Sequence, residues 1–162
     1  MPKTLRIFSL NIEYGRYSAS LIPYIASIRD DFDVFCLQEV PRDARDTRCF
    51  EEGYDADFFA KVSQALPEFT PYYAELVRES FGIATLVRSN LKQKFIGEEY
   101  LFGFTDEPFL DKNRWNHPVK YLSIKVEGIR IVNLHGAWQP KTKKRDTPER
   151  IRQSKILQKH TK

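Results

Sequence analysis

The sequence predicts one α+β domain over residues 1–162, a four-layer α/β/β/α sandwich of two mainly antiparallel sheets flanked by helices. Three observations predict it. Short apolar runs with period-two alternation recur along the chain and are punctuated by turn residues, as strands of a sandwich are. Two or three stretches instead carry apolar residues at spacings of three and four, the mark of helices with one buried face. Composition gives no second regime: 162 residues with 41% hydrophobic and 14% aromatic side chains suit a single core.

Taken in order, Leu5 to Leu10 alternates and reads as a strand ending at Asn11, after which Asn11 and Gly15 supply turn chemistry. Ser18 or Ser20 is placed to cap a helix whose apolar face is Leu21, Tyr24, Ile25 and Ile28, with Pro23 expected in its first turn. Asp30 and Asp31 close that helix. Val34 to Leu37 is an unbroken apolar run, the pattern of a strand covered on both faces, and it stops on Gln38 and Glu39 with Pro41 beyond. Strand, helix and strand within forty residues suggest a parallel crossover pair. Residues 41–53 are charged and read as a loop. A second helix is expected over about Asp55 to Leu66, with Phe58, Phe59, Val62 and Leu66 inward and Pro67 as its stop.

Thr70 to Val77 and Gly82 to Val87 read as a hairpin, followed by a β-rich Leu91 to Phe102. Residues 103–117 hold Gly, Pro, Asp and Asn and read as a long loop. Val119 to Val126 and Ile129 to Leu134 flank Glu127-Gly128, a two-residue hairpin turn. A last helix is expected from Asp146-Thr147-Pro148-Glu149 to about Lys159, with Asp146 as its cap and Glu149 in a capping-box spacing.

Charge and cysteine usage narrow the function classes. The net charge of +4 is not spread evenly: Gln139 to Lys162 holds nine Lys/Arg and two Asp/Glu, which leaves the first 138 residues at −3. The basic character is a local segment, so the body is not that of a general polyanion binder. No apolar run is long enough to span a bilayer, and the N-terminus lacks the apolar centre of a signal peptide. Cys36 sits in an apolar strand and Cys49 in a polar loop, so no disulfide framework is expected and the default compartment is the cytoplasm.

Asn11, Glu39 and His135 stand at the ends of three apolar strands, and polar ends of successive core strands meet at one rim of a sandwich. A carboxylate at the mouth of a buried strand needs a cation, a proton or donors. Arg42 is the nearest ion-pair partner for Glu39. The alternative partner is a hard divalent cation such as Mg²⁺, with Mn²⁺ as a substitute, which takes one or two protein carboxylates and fills its shell with water and phosphate oxygen. An amide can orient phosphate or a nucleophile, and a histidine can donate to charge developing on phosphorus.

The segments Leu10-Asn11-Ile12, Leu37-Gln38-Glu39-Val40, Gly82-Ile83-Ala84 leading to Val87-Arg88, and Asn133-Leu134-His135, with Thr147, Arg150, Gln153 and Leu157 on the last helix, fall in one order along the whole chain. In this the chain resembles the endonuclease/exonuclease/phosphatase superfamily of metal-dependent phosphoesterases. The resemblance implies Glu39 as the Mg²⁺-binding glutamate, Asn11 as a residue fixing metal, water or phosphate, and His135 as the histidine on the scissile phosphate. It assigns no role to Glu79, Arg114 or Trp115.

The chain also departs from the family. The family's Asp-x-Asn motif after a glycine, and its later Asp-His pair, do not occur here. The resemblance therefore covers the family's N-terminal portion, and a chain so truncated is expected to be inactive by itself. The substrate class stays open among nucleic acid, phosphoinositide, sphingolipid headgroup and small phosphoester. The competing readings are a non-catalytic nucleic-acid-binding or protein-interaction module using residues 141–162, and a shortened relative acting in protein interaction. If further strands belong to the sheet containing Ile129 to Leu134, its edge and the side chains Ile129, Ile131 or Val132 and Leu134 are expected to be partly uncovered, inviting association with another chain.

Overall fold

The computed structural model describes residues 4–45, 53–102, 119–136 and 146–160. Residues 103–118, with Arg114 and Trp115, and Cys49 lie outside them. Among the described residues seven strands make two sheets. The first contains β1 (Ile7–Asn11), β2 (Val34–Pro41), β3 (Phe69–Val77) and β4 (Phe81–Arg88) in the order β1-β2-β4-β3. The expected crossover pair is present: β1 and β2 run parallel, Ile7 opposite Val34 through Asn11 opposite Gln38, while β4 runs antiparallel to both of its neighbours. The second contains β5 (Gln93–Phe102), β6 (Val119–Val126) and β7 (Ile129–Leu134), all antiparallel.

Alternation along each strand assigns the layers. On β2 and β4, Phe35, Leu37, Ala84 and Leu86 face outward and pack on α1 (Ser18–Ser27) and α2 (Phe58–Ala65) through Ile25, Phe58, Val62 and Leu66. Their alternates Val34, Cys36, Ile83 and Val87 face the second sheet and meet Leu122, Ile124, Val126 and Ile131. The second sheet's outer face, Val119, Tyr121, Val132 and Leu134, is covered by Ile156 and Leu157 of α3 (Pro148–His160). Helices, sheet, sheet, helix: the four-layer order expected from the sequence is the one observed.

Several local expectations need correction. Neither Ser18 nor Ser20 caps α1; its N-cap is Tyr17, and the Ser20 hydroxyl donates back to the Tyr17 carbonyl at 3.1 Å. Pro23 lies in the second turn, not the first. Both it and Ala19, whose carbonyl loses its helical partner, are exposed, so water can satisfy that carbonyl. The cap of α3 is Thr147, whose Oγ1 accepts the Arg150 N–H at 3.3 Å while its carbonyl accepts that of Ile151, and this makes Pro148 the first helical residue. Asp146 stands one residue too early. Of the β7 side chains expected to be partly uncovered, Ile129 is exposed and Val132 and Leu134 are half-buried, and Ile131 departs from the expectation. Ile131 is buried in the central core, and Val132 and Leu134 pack under α3, leaving Ile129 exposed. Among the described residues β7 pairs with β6 alone.

Candidate functional site

Glu39 owes its placement to a β-bulge. The register between β2 and β4 passes from Gln38 opposite Ile83 to Val40 opposite Gly82, so Glu39 has no partner, and its φ of +57° lies in the left-handed region. Uninterrupted alternation would have put Glu39 on the same face as Phe35 and Leu37, beneath the helices. The extra residue gives that place to Val40, which is fully buried, and sends the carboxylate to the rim. Gly82 permits the bulge's surroundings: a Cβ there would collide with the Ala74 carbonyl and come within 2.8 Å of the Tyr73 ring. Arg42 does not answer Glu39. Its guanidinium lies over the rings of Phe59 and Tyr73, 5.6 and 5.2 Å from their centroids.

Asn11 ends β1 and begins an Asx turn, its Oδ1 accepting the Glu13 N–H at 3.0 Å. That bond turns the amide so that its NH₂ group serves Glu39, with which it is hydrogen-bonded. His135 follows β7, on the other sheet, and its Nε2 stands 3.6 Å from Glu39 Oε1. Its ring meets the edge of Phe81 at 6.5 Å, and Phe81 in turn packs on Tyr14 at 4.9 Å. Asn11, Glu39 and His135 are therefore brought together at one rim from three strands of two sheets. Among the described residues, Asn11 and His135 are the side chains that meet the Glu39 carboxylate.

The electrostatics favour a cation. The Glu39 side chain is 15% exposed. Burial holds its pKa above the ordinary carboxylate value; the Asn11 bond opposes this, and the negative charge of Glu13 adds to it. A partly buried carboxylate with a second acid beside it is compensated by a proton or by a cation, and its oxygens suit a hard divalent ion. The amide oxygen of Asn11 keeps one lone pair beyond the Glu13 N–H. Among the described residues no group of three or more His, Cys, Asp or Glu side chains converges, so Glu39 and Asn11 are the donors that could hold an ion here. Cys36 takes no part: burial pushes its thiol up to about 11 despite a bond to Thr85.

Sequence reasoning missed two groups. Glu13 acts on Glu39 because the backbone turns sharply at Glu13 and Tyr14, both with positive φ; Asn11 and Gly15 signal a turn there, but not which way its side chains face. Asn133, 2% exposed, donates from Nδ2 to the carbonyls of Leu37 (3.2 Å) and Ala84 (2.8 Å) and to Thr85 Oγ1 (3.3 Å), while its Oδ1 accepts from Gln38 Nε2 at 2.7 Å. A polar residue inside an otherwise apolar strand was the available signal. Glu79, left without a role by the sequence, occupies the β3–β4 turn with a φ of +54°.

No protein-family model matches the chain, and no curated protein matches it by sequence. Solved structures do match. An endonuclease/exonuclease/phosphatase from Bacteroides vulgatus aligns with a TM-score of 0.61 at 15% identity, over 98% of this chain and 60% of that one. A family protein from Leptotrichia buccalis aligns at 0.57 and 16% identity, covering 96% and 61%. D. rerio TDP2 complexed with single strand DNA product aligns at 0.57 and 13% identity, covering 96% and 53%. At these identities the likeness is one of fold. The chain has the fold of endonuclease/exonuclease/phosphatase structures over a little more than half of their length.

Proposed function

We propose that the rim of Asn11, Glu39 and His135 is the phosphate-binding part of a Mg²⁺-dependent phosphoesterase, with Mn²⁺ as an alternative ion. One observation carries the reading: an imidazole from one sheet faces a buried carboxylate from the other at 3.6 Å, and the neighbouring arginine is engaged elsewhere. The fold shared with phosphoesterase structures supports it. Glu39 would hold the metal, which when bound supplies charge neutralisation on the phosphate. Asn11 would orient that carboxylate through its NH₂ group and offer its remaining lone pair to metal or water. His135 would donate from Nε2 to a non-bridging phosphate oxygen, stabilising charge as it develops.

In-line hydrolysis also needs a group that positions the attacking water and a general base. The 162-residue sequence has neither the Gly-Asp-x-Asn motif, its one Asp-x-Asn being Asp111-Lys112-Asn113 after Leu110, nor the Asp-His pair that would supply them. Turnover of a generic phosphodiester by residues 1–162 is expected near background. Mg²⁺ binding is expected to be millimolar or weaker, since one or two protein ligands hold a reluctantly dehydrated ion loosely. Calorimetry on the parent and Glu39→Gln tests this: loss of the weak binding in the variant supports the site, and micromolar binding that survives Glu39→Gln refutes it. α3 is built into the sandwich through Ile156 and Leu157, and Arg152, Lys155 and Lys159 on its far side are exposed. This arrangement favours a structural helix over a free nucleic-acid-binding module.

A further inference from the structure

We propose that Asn133, acting with Gln38, is the positioning device that sets His135 against Glu39. The functional meaning of the pair rests on the phosphoesterase reading, but the geometry and its test do not. Glu39 belongs to the first sheet and His135 follows the last strand of the second, so their separation is a distance between sheets. Most of what joins the sheets is apolar, Val34, Cys36, Ile83 and Val87 against Leu122, Ile124, Val126 and Ile131. Such contacts are non-directional and tolerate small slides. A site needs its groups held to within about 0.5 Å.

The amide network supplies direction. Gln38 Nε2 donates to Asn133 Oδ1 at 2.7 Å and also lies 3.2 Å from the Cys36 carbonyl and 3.3 Å from Ser9 Oγ. Asn133 Nδ2 shares its two hydrogens among the Leu37 and Ala84 carbonyls and Thr85 Oγ1. Each strand that carries a site residue thus contributes a member: Ser9 two residues before Asn11, Gln38 one before Glu39, and Asn133 two before His135. The polar capacity of the Asn133 side chain is matched on both its oxygen and its nitrogen, which is what lets a buried amide specify one arrangement without a large desolvation cost. A leucine of similar volume would fill the same space at a cost in stability, because the groups that bond to Asn133 would lose that partner. It would supply no direction.

The test uses the 162-residue chain with Asn133→Leu and, separately, Gln38→Met, which removes the bond to Asn133 Oδ1 with those to the Cys36 carbonyl and Ser9 Oγ and leaves those of Asn133 Nδ2. NMR reads the cross-relaxation between His135 ring protons and Glu39 side-chain protons, and the number of His135 ring conformers. The expected result for a folded variant is a fall in that cross-relaxation of about two- to fourfold, as a displacement of about 0.5–1 Å would produce, with averaged ring signals and retained sheet amide protection. A folded Asn133→Leu variant with parent cross-relaxation and a single ring conformer overturns the proposal. If Asn133→Leu does not fold, Gln38→Met decides by the same readout. Micromolar Mg²⁺ binding that survives Glu39→Gln would count against the phosphoesterase reading and leave this result standing.

Discussion

Glu39→Gln is expected to make the metal-free protein more stable at neutral pH while removing its metal binding. The side chain is 15% exposed, and burial is the first cause of its raised pKa. Removing an ion from water costs several kcal/mol even after relaxation. The hydrogen bond from Asn11 to the charged form returns roughly 1.5–3 kcal/mol, and Glu13 works against the charge. A residual deficit of about 1–2 kcal/mol is left in the parent at neutral pH. Glutamine keeps the size, the left-handed backbone and a hydrogen-bonding partner for Asn11, and removes the charge.

The pH dependence fixes the sign. A carboxyl whose folded pKa lies above its unfolded value binds its proton more tightly in the native state. Its cost is therefore absent below the unfolded pKa, grows as pH rises toward the folded one, and is complete above it. Thermal unfolding with EDTA should place Glu39→Gln about 2–8 °C above the parent at pH 7.5, given about 2–4 °C per kcal/mol for a chain of this size. The difference should shrink toward zero near pH 4. A variant no more stable than the parent at pH 7.5, or one with the same gain at both pH values, would refute the charge-burial account.

Other substitutions test the surrounding structure. Gly82→Ala places a Cβ against the Ala74 carbonyl and within 2.8 Å of the Tyr73 ring; a loss of about 1–3 kcal/mol is expected in denaturant unfolding. Asp55→Asn should flatten the acid limb of the stability profile. Burial alone would raise that carboxyl, but bonds from Lys61, Ser18 and the Asp57 N–H outweigh it and hold its pKa low, so its stabilisation is present above the unfolded value and lost as pH falls through the folded one. Thr147→Ala should cost about 1 kcal/mol through loss of the α3 cap, with Asp146→Ala nearly silent.

How much of this was legible in the sequence follows from what each kind of signal encodes. Strands and helices were readable because their burial is periodic: β6 and β7 fall where alternation and the Glu127-Gly128 turn put them, and both turn residues have positive φ, as that turn type requires. The three rim residues were readable because each follows an apolar run. Caps were less so. Asp146 and Thr147 are both good caps, and the choice is made by where Pro148 takes the first helical position, a backbone fact. The coverage of β7 depended on which face α3 would meet, a tertiary matter that helix periodicity alone does not resolve.

The bulge at Glu39 was the least visible feature and the one on which the site depends most. Alternation through Phe35 and Leu37 places residue 39 under the helices, where Val40 in fact lies. The extra residue reverses that assignment and puts a glutamate in a backbone conformation costing about 1–2 kcal/mol. Glycine could adopt the same φ without that cost, and Glu39→Gly would recover part of it, set against about 0.4–1 kcal/mol of added unfolded-state freedom. An unstrained strand would have ended in a stable ladder and a surface carboxylate. The observed one ends in a strained carboxylate, partly desolvated and held by one amide opposite an imidazole from the other sheet. Strain and charge burial coincide at a single residue, and both oppose stability. Their coincidence at the meeting point of three strand ends is what the proposed cation- and phosphate-binding role would account for, because neither cost contributes to the fold itself.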